Sequence, residues 1–139
     1  MNLYTTNTKI LYADDDEDDH YLLSESLSVN GINTEVVCVS DGVEALNYLE
    51  AESKDSLPSL IVLDMNMPRK DGKQTLGYIK NHPHFKNIPV IILSTSSNRF
   101  DREYCTQLGA ASYFTKPKHF SGYNAIVKYF MTYVKSKVS

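Results

Sequence analysis

Five short apolar runs alternate with five longer stretches that each carry one apolar face, and no other feature of the 139-residue sequence constrains the fold as much. The spacing predicts strands over 10–13, 35–39, 60–63, 90–93 and 112–115. Leu60-Ile-Val-Leu63 and Val90-Ile-Ile-Leu93 are continuous aliphatic runs, as expected of strands covered on both faces. Helices are predicted over 18–29, 42–50, 73–81, 99–108 and 122–137. In the last, Tyr123, Ile126, Val127, Phe130, Met131 and Val134 form one helical stripe. Gly31 and Gly109 stand where a left-handed residue would stop the first and fourth helices.

Strands alternating with helices form βαβ units, and their right-handed crossovers make the sheet parallel. The expected fold is α/β, a flavodoxin-like doubly wound (βα)5 sandwich with a five-stranded parallel sheet of order 2-1-3-4-5. Residues 1–139 are expected to form one domain with no separate output domain. The longest aliphatic runs fall far short of the ~18 residues of a membrane span. The segment 1–8 has no basic flank and no apolar core of an export signal. Both point to a cytoplasmic protein without membrane contact. Cys38 and Cys105 lack any metal or redox spacing and read as free thiols that fill apolar space.

The net charge of −3 argues against a nucleic-acid partner. Asp14-Asp15-Asp16-Glu17-Asp18-Asp19 holds six of the 17 acidic residues, and without it 14 basic residues face 11 acidic ones. The negative charge therefore gathers at the end of the first strand. In a sheet of this order, ligands bind beyond the carboxyl ends of the strands. Asp14 and Asp15 follow the first strand, Asp64 the third, Ser94 the fourth and Lys116 the fifth. Two carboxylates ~4 Å apart repel by about 4 kcal/mol at an effective dielectric near 20. One lysine does not offset three such charges, whereas a hard divalent cation does. Oxygen-only ligands suit Mg²⁺ or Mn²⁺. An aspartate beside such a cation, a lysine and a hydroxyl has what phosphoryl transfer needs.

Four segments carry a family pattern: Ile10-Leu-Tyr-Ala-Asp-Asp-Asp16, Leu63-Asp-Met-Asn-Met-Pro-Arg-Lys-Asp-Gly72, Pro89-Val-Ile-Ile-Leu-Ser94 and Tyr113-Phe-Thr-Lys-Pro117. Together they resemble the receiver domain of bacterial two-component response regulators over essentially the whole chain. The spacings of 30 from Asp64 to Ser94 and 22 from Ser94 to Lys116 are similar to those of the stand-alone chemotaxis regulator. The resemblance implies that Asp64 is phosphorylated, that Asp15 binds the metal directly and Asp14 through water, and that the carbonyl of Asn66 completes the set. It implies Ser94 as the phosphoryl-sensing hydroxyl, Lys116 as the phosphate partner, Tyr113 as an aromatic switch, Asn66 and Ser96 as residues that tune hydrolysis, and a cis Lys116–Pro117 peptide. The implied donor is a sensor histidine kinase or a histidine phosphotransfer protein. Output passes to an unidentified downstream protein through the face of the fourth and fifth helices and fifth strand, which also admits a homodimer. The chain would be a phosphoacceptor, not an enzyme in its own right. A finer likeness, through Ile79-Lys-Asn-His-Pro83 and Ser94-Thr-Ser-Ser97, is to small regulators paired with bacterial phytochrome kinases. The loop over 51–59 is a few residues longer than in the chemotaxis regulator, which bears on partner contacts.

Rival patterns fit less well. Asp14, Asp16, Asp18 and Glu25 match calcium-loop positions, but Asp19 stands where the turn needs glycine. A haloacid-dehalogenase-type phosphatase would want an acid at position 66, which is Asn. A flavin carrier would not place six acids where the phosphate binds. A docking module independent of phosphorylation has no need of the complete acidic set. Asp18 and Asp19 read as acids favoured at a helix N-terminus. His20, His82, His84 and His119 read as unclustered surface or helix-end residues.

Overall fold

The computed structural model describes residues 8–134. Segment 1–7, read above as lacking an export signal, and positions 135–137 of the last predicted helix lie outside the described residues. The order is β1 (Lys9–Ala13), α1 (Glu17–Val29), β2 (Glu35–Val39), α2 (Gly42–Ala51), β3 (Leu60–Leu63), α3 (Gly72–Asn81), β4 (Val90–Ser94), α4 (Arg99–Leu108), β5 (Ser112–Thr115) and α5 (Tyr123–Val134). Single 3₁₀ turns at Lys54–Ser56 and Phe120–Gly122 complete it, the second occupying what was predicted as the first residue of α5. The sheet is parallel in the order β2-β1-β3-β4-β5, as expected.

Strand alternation divides the core in two. Leu11, Ala13, Ile61, Leu63, Val90 and Ile92 face Ala45, Leu49, Leu76 and Ile79 of α2 and α3. Ile10, Tyr12, Leu60, Val62, Ile91 and Leu93 face Leu23, Leu27, Ile126, Val127 and Phe130 of α1 and α5. Each aliphatic side chain so buried contributes about 1.5–3 kcal/mol. Cys105 belongs to the core, but Cys38 is exposed because β2 is an edge strand. It is not the buried filler expected from its composition. No helix among the described residues is long and apolar enough to cross a membrane.

Four helices start the same way after their strands. The side chains of Asp16, Asp41, Asp71 and Asn98 accept from the N–H groups of Asp18, Glu44, Gln74 and Phe100. These caps satisfy donors that each helix start leaves open. At the other ends, Gly31 (φ 72°) and Gly109 (φ 107°) adopt the expected left-handed conformation. The 51–59 loop enters β3 at the end of the sheet opposite Asp64.

Asp41 does more than cap. It is 4% exposed and takes two bonds from Arg69, at 2.8 Å from Nε and 3.1 Å from Nη2. Arg69 has a left-handed backbone (φ 62°), so this pair pins a strained turn in the loop that carries Asn66. Burial pushes the Asp41 carboxyl up, but Arg69 and the N–H groups of Glu44 and Val43 outweigh it and hold the pKa below the ordinary value. A depressed carboxylate stabilises fully above its unfolded value, about pH 4. That contribution is lost as pH falls through the lower folded value. Asp41→Ala is expected to destabilise by about 2 kcal/mol at pH 7 in urea unfolding, with the difference from the native chain shrinking below about pH 4.

Candidate functional site

Strand ends are level where the site forms. Register pairs Ala13 with Leu63, Leu63 with Ile92 and Ser94 with Thr115. Backbone bonds extend this order one residue further: Asp64 N–H donates to Ala13 O at 3.0 Å, and Lys116 N–H to Ser94 O at 2.7 Å. Asp14, Asp64, Ser94 and Lys116 therefore share one end of the sheet. Each of Asp14, Asp15 and Asp64 offers a carboxylate oxygen, and the three lie within 4.8 Å of one another. Asp14 and Asp64 are buried, at 1% and 5% exposure, while Asp15 forms the open rim. The all-oxygen set fits a hard divalent cation, with Asp15 open toward solvent for access.

One ammonium sits inside this cluster. Lys116 Nζ is 2.7 Å from Asp14 Oδ2, 2.6 Å from Asp19 Oδ2 and 3.5 Å from Asp64 Oδ2. Burial pulls the Lys116 pKa down, but the hydrogen bonds to Asp14 and Asp19 and the charges of Asp14 and Asp64 outweigh it. Lys116 is held charged. Asp64 is pushed above the ordinary carboxylate range by burial and then by Asp14, against the opposing pull of Lys116, the Ser94 hydroxyl and the Met65 N–H. That N–H donates to Asp64 Oδ1 at 2.8 Å. Asp64 Oδ2 faces the lysine.

Asp14 is anchored from all sides. Its Oδ2 accepts from the Tyr12 hydroxyl at 2.8 Å as well as from Lys116, and its Oδ1 accepts from Asp16 N–H at 2.9 Å. His20 Nε2 donates to the Asp14 carbonyl at 2.6 Å, and its ring meets Tyr12 edge-on. His20 lies at the start of α1, as a helix-end residue, and in addition supports the site. His82 caps the end of α3 and His84 is exposed, as expected, but the two are not unclustered: their rings lie 5.6 Å apart, and that of His82 stacks on Phe85.

Tyr113 lies next to this cluster. It is buried, not half-buried as an ordinary strand aromatic would be, and its hydroxyl donates to Ser96 O at 2.8 Å. Arg102 stacks 4.8 Å above its ring and donates to its carbonyl. Ser96 N–H also donates to Ser94 Oγ at 3.2 Å, so one residue touches both predicted switch side chains. Asn66 is exposed on the β3–α3 loop, two residues beyond Asp64. The Lys116–Pro117 peptide is trans, contrary to the expectation from resemblance.

Sequence reasoning missed Asp19, Tyr12 and His20. Spacing gives only part of the signal: Tyr12 shares a strand face with Asp14, and Asp19 and His20 lie one turn before the buried Leu23, but which side chains meet depends on how α1 is seated on the sheet.

Comparison with known proteins agrees with this geometry. Residues 10–128 match the response regulator receiver domain model. Response regulator Rcp1 of Synechocystis sp. (strain ATCC 27184 / PCC 6803 / Kazusa) is 35% identical over 113 residues, 79% of this chain and 77% of Rcp1. The crystal structure of the phosphorylated cyanobacterial phytochrome response regulator RcpA superposes with a TM-score of 0.81 at 40% identity, covering 91% of this chain and 92% of that one. The Mn²⁺-bound form of Rcp1 gives a TM-score of 0.80 at 32% identity, covering 95% and 97%. Protein PilG of Pseudomonas aeruginosa aligns over 86 residues, 62% of this chain and 61% of PilG, whereas the transcriptional regulatory protein PhoP of Bacillus subtilis is longer and the chain spans 48% of it. The chain belongs to the response regulator receiver domain family, the phosphoacceptor module of two-component signalling.

Proposed function

We propose that Asp64 is the phosphoacceptor and that its donor is a phosphohistidine on a sensor kinase or a histidine phosphotransfer protein. One observation carries this: a buried carboxylate at the end of β3 has two further carboxylates within 4.8 Å and a charged lysine at 3.5 Å. A carboxylate oxygen of Asp64 attacks phosphorus, the new P–O bond forms as the P–N bond to histidine breaks, and the imidazole leaves as the neutral base after taking up a proton. Asp14, Asp15, Asp64 and the Asn66 carbonyl would hold Mg²⁺, with Mn²⁺ as a substitute. When bound, the cation offsets the charge of the phosphoryl oxygens. Lys116 pairs with one of those oxygens, and the Ser94 hydroxyl donates to another. The same residues support slow hydrolysis of the acyl phosphate, tuned by Asn66 and Ser96.

The signal leaves through α4, β5 and α5. Drawing Ser94 toward the phosphoryl group loosens its bond from Ser96 N–H. Ser96 in turn holds Tyr113 through its carbonyl and Asp101 through its hydroxyl, at 2.8 and 2.9 Å. The likeness to RcpA and Rcp1 supports a kinase of the phytochrome type as the input. The test is the position of the label. After reaction with acetyl phosphate, borohydride reduction is expected to convert Asp64 alone to homoserine, found by peptide mapping. Conversion at another aspartate contradicts the assignment.

A further inference from the structure

The lysine of this site is not centred on Asp64. Its ammonium is 2.6 Å from Asp19 Oδ2 and 2.7 Å from Asp14 Oδ2, against 3.5 Å from Asp64 Oδ2. The Asp19 contact joins the first turn of α1 to the residue after β5, 97 positions away. A favourable charge at the helix start does not explain it, because Glu17 and Asp18 already supply that from the exposed side of the same turn. Asp19 instead reaches inward, on the stripe that continues through Leu23, Ser26 and Leu27.

An ammonium has three donors, and here two are directed to Asp14 and Asp19. A phosphoryl group on Asp64 adds close to two negative charges on the side where the lysine is now most distant. Pairing with it draws Nζ toward Asp64 and away from Asp19. Asp19 is therefore a contact that the unphosphorylated state keeps and the phosphorylated state weakens. We propose, building on Asp64 as the phosphoacceptor, that Asp19 is a positioning residue: it competes with the phosphoryl group for Lys116 and so biases the switch toward its unphosphorylated state. The coupling is reciprocal, so removing the Asp19 charge favours the phosphorylated form to the same degree that phosphorylation loosens Asp19.

The probe is beryllofluoride, a stable phosphoryl mimic, titrated in saturating Mg²⁺ and followed by fluorine NMR. Asp19→Asn is expected to bind it about fivefold more tightly than the native chain, the scale of one partly exposed ion pair. Asp18→Asn removes the same charge one residue away on the exposed side and is expected to leave affinity unchanged. In a Lys116→Ala background the gain from Asp19→Asn is expected to vanish. A purely structural role for Asp19 would not depend on Lys116 in this way. Circular dichroism checks folding, and Asp19→Ala carries the same comparison if Asn is not tolerated. Equal or weaker binding by both Asp19 variants, a matching gain from Asp18→Asn, or a gain that persists without Lys116 overturns the proposal. Failure of the native chain to bind overturns the phosphoacceptor assignment and the proposal with it. Native binding with no response at Asp19 overturns the proposal alone.

Discussion

Lys116→Ala is expected to lower the unfolding free energy of the protein in EDTA by about 3 kcal/mol at pH 7, and millimolar Mg²⁺ to return much of that loss. The side chain of Lys116 is 8% exposed and carries the single ammonium among the carboxylates of Asp14, Asp19 and Asp64 in the described residues. Removing it leaves Asp14 and Asp64 buried with no compensating cation. Breaking a buried pair from one side is far more damaging than replacing both partners, because the remaining charge keeps its desolvation penalty. Mg²⁺ supplies the missing charge from solvent, so the variant should gain more stability from it than the native chain does. Urea titrations of both chains with and without Mg²⁺ measure the four values needed. A variant as stable as the native chain in EDTA, or one indifferent to Mg²⁺, would show that the carboxylates are not the mutually repelling set the geometry describes.

The second large effect is expected at Gly72. A methyl group there would overlap the Asp64 carbonyl oxygen and come within 2.9 Å of Met65 Cα. Both are backbone, so no side chain can rotate away. Gly72 N–H also donates to Met65 O at 3.1 Å, and this bond fixes the start of α3 against the loop that follows Asp64. Gly72→Ala should therefore destabilise by about 3 kcal/mol, the upper part of the range for an overpacked core. It should also displace Asp64 relative to Lys116. The expected result is slower phosphorylation by acetyl phosphate even in conditions where circular dichroism shows the variant fully folded. By contrast, Gly77→Ala meets nothing within 4 Å and should be neutral or slightly stabilising, since alanine is the better helix former.

How much of this was legible in the sequence depends on whether a residue's role is set locally. The aliphatic runs of β3 and β4 identify buried central strands without reference to anything else. Handed crossovers narrow the possible orders of a parallel sheet, and in the expected order 2-1-3-4-5 the strand ends bring Asp14, Asp64, Ser94 and Lys116 to one place. Roles that depend on how one element is rotated against another were hidden. Asp19 looks like any acid in a first turn until α1 is seated on the sheet with Leu23 and Leu27 beneath it. Tyr12 looks like a core aromatic until its hydroxyl is found on Asp14. Cys38 reads as a filler from its residue type alone, although the expected order 2-1-3-4-5 already puts β2, and Cys38 with it, at the edge. The pairing of His82 with His84 is set by the turn after α3, where His84 N–H donates to His82 Nδ1 at 3.0 Å.

Metal-dependent phosphorylation of Asp64 is tested most directly by intact mass. The native chain and Asp64→Asn are incubated with acetyl phosphate in Mg²⁺ or in EDTA, beside a receiver known to label. One added phosphoryl group on the native chain, formed in Mg²⁺, absent in EDTA and absent in Asp64→Asn, is the expected result. An adduct that survives Asp64→Asn, or that forms equally well in EDTA, contradicts the account.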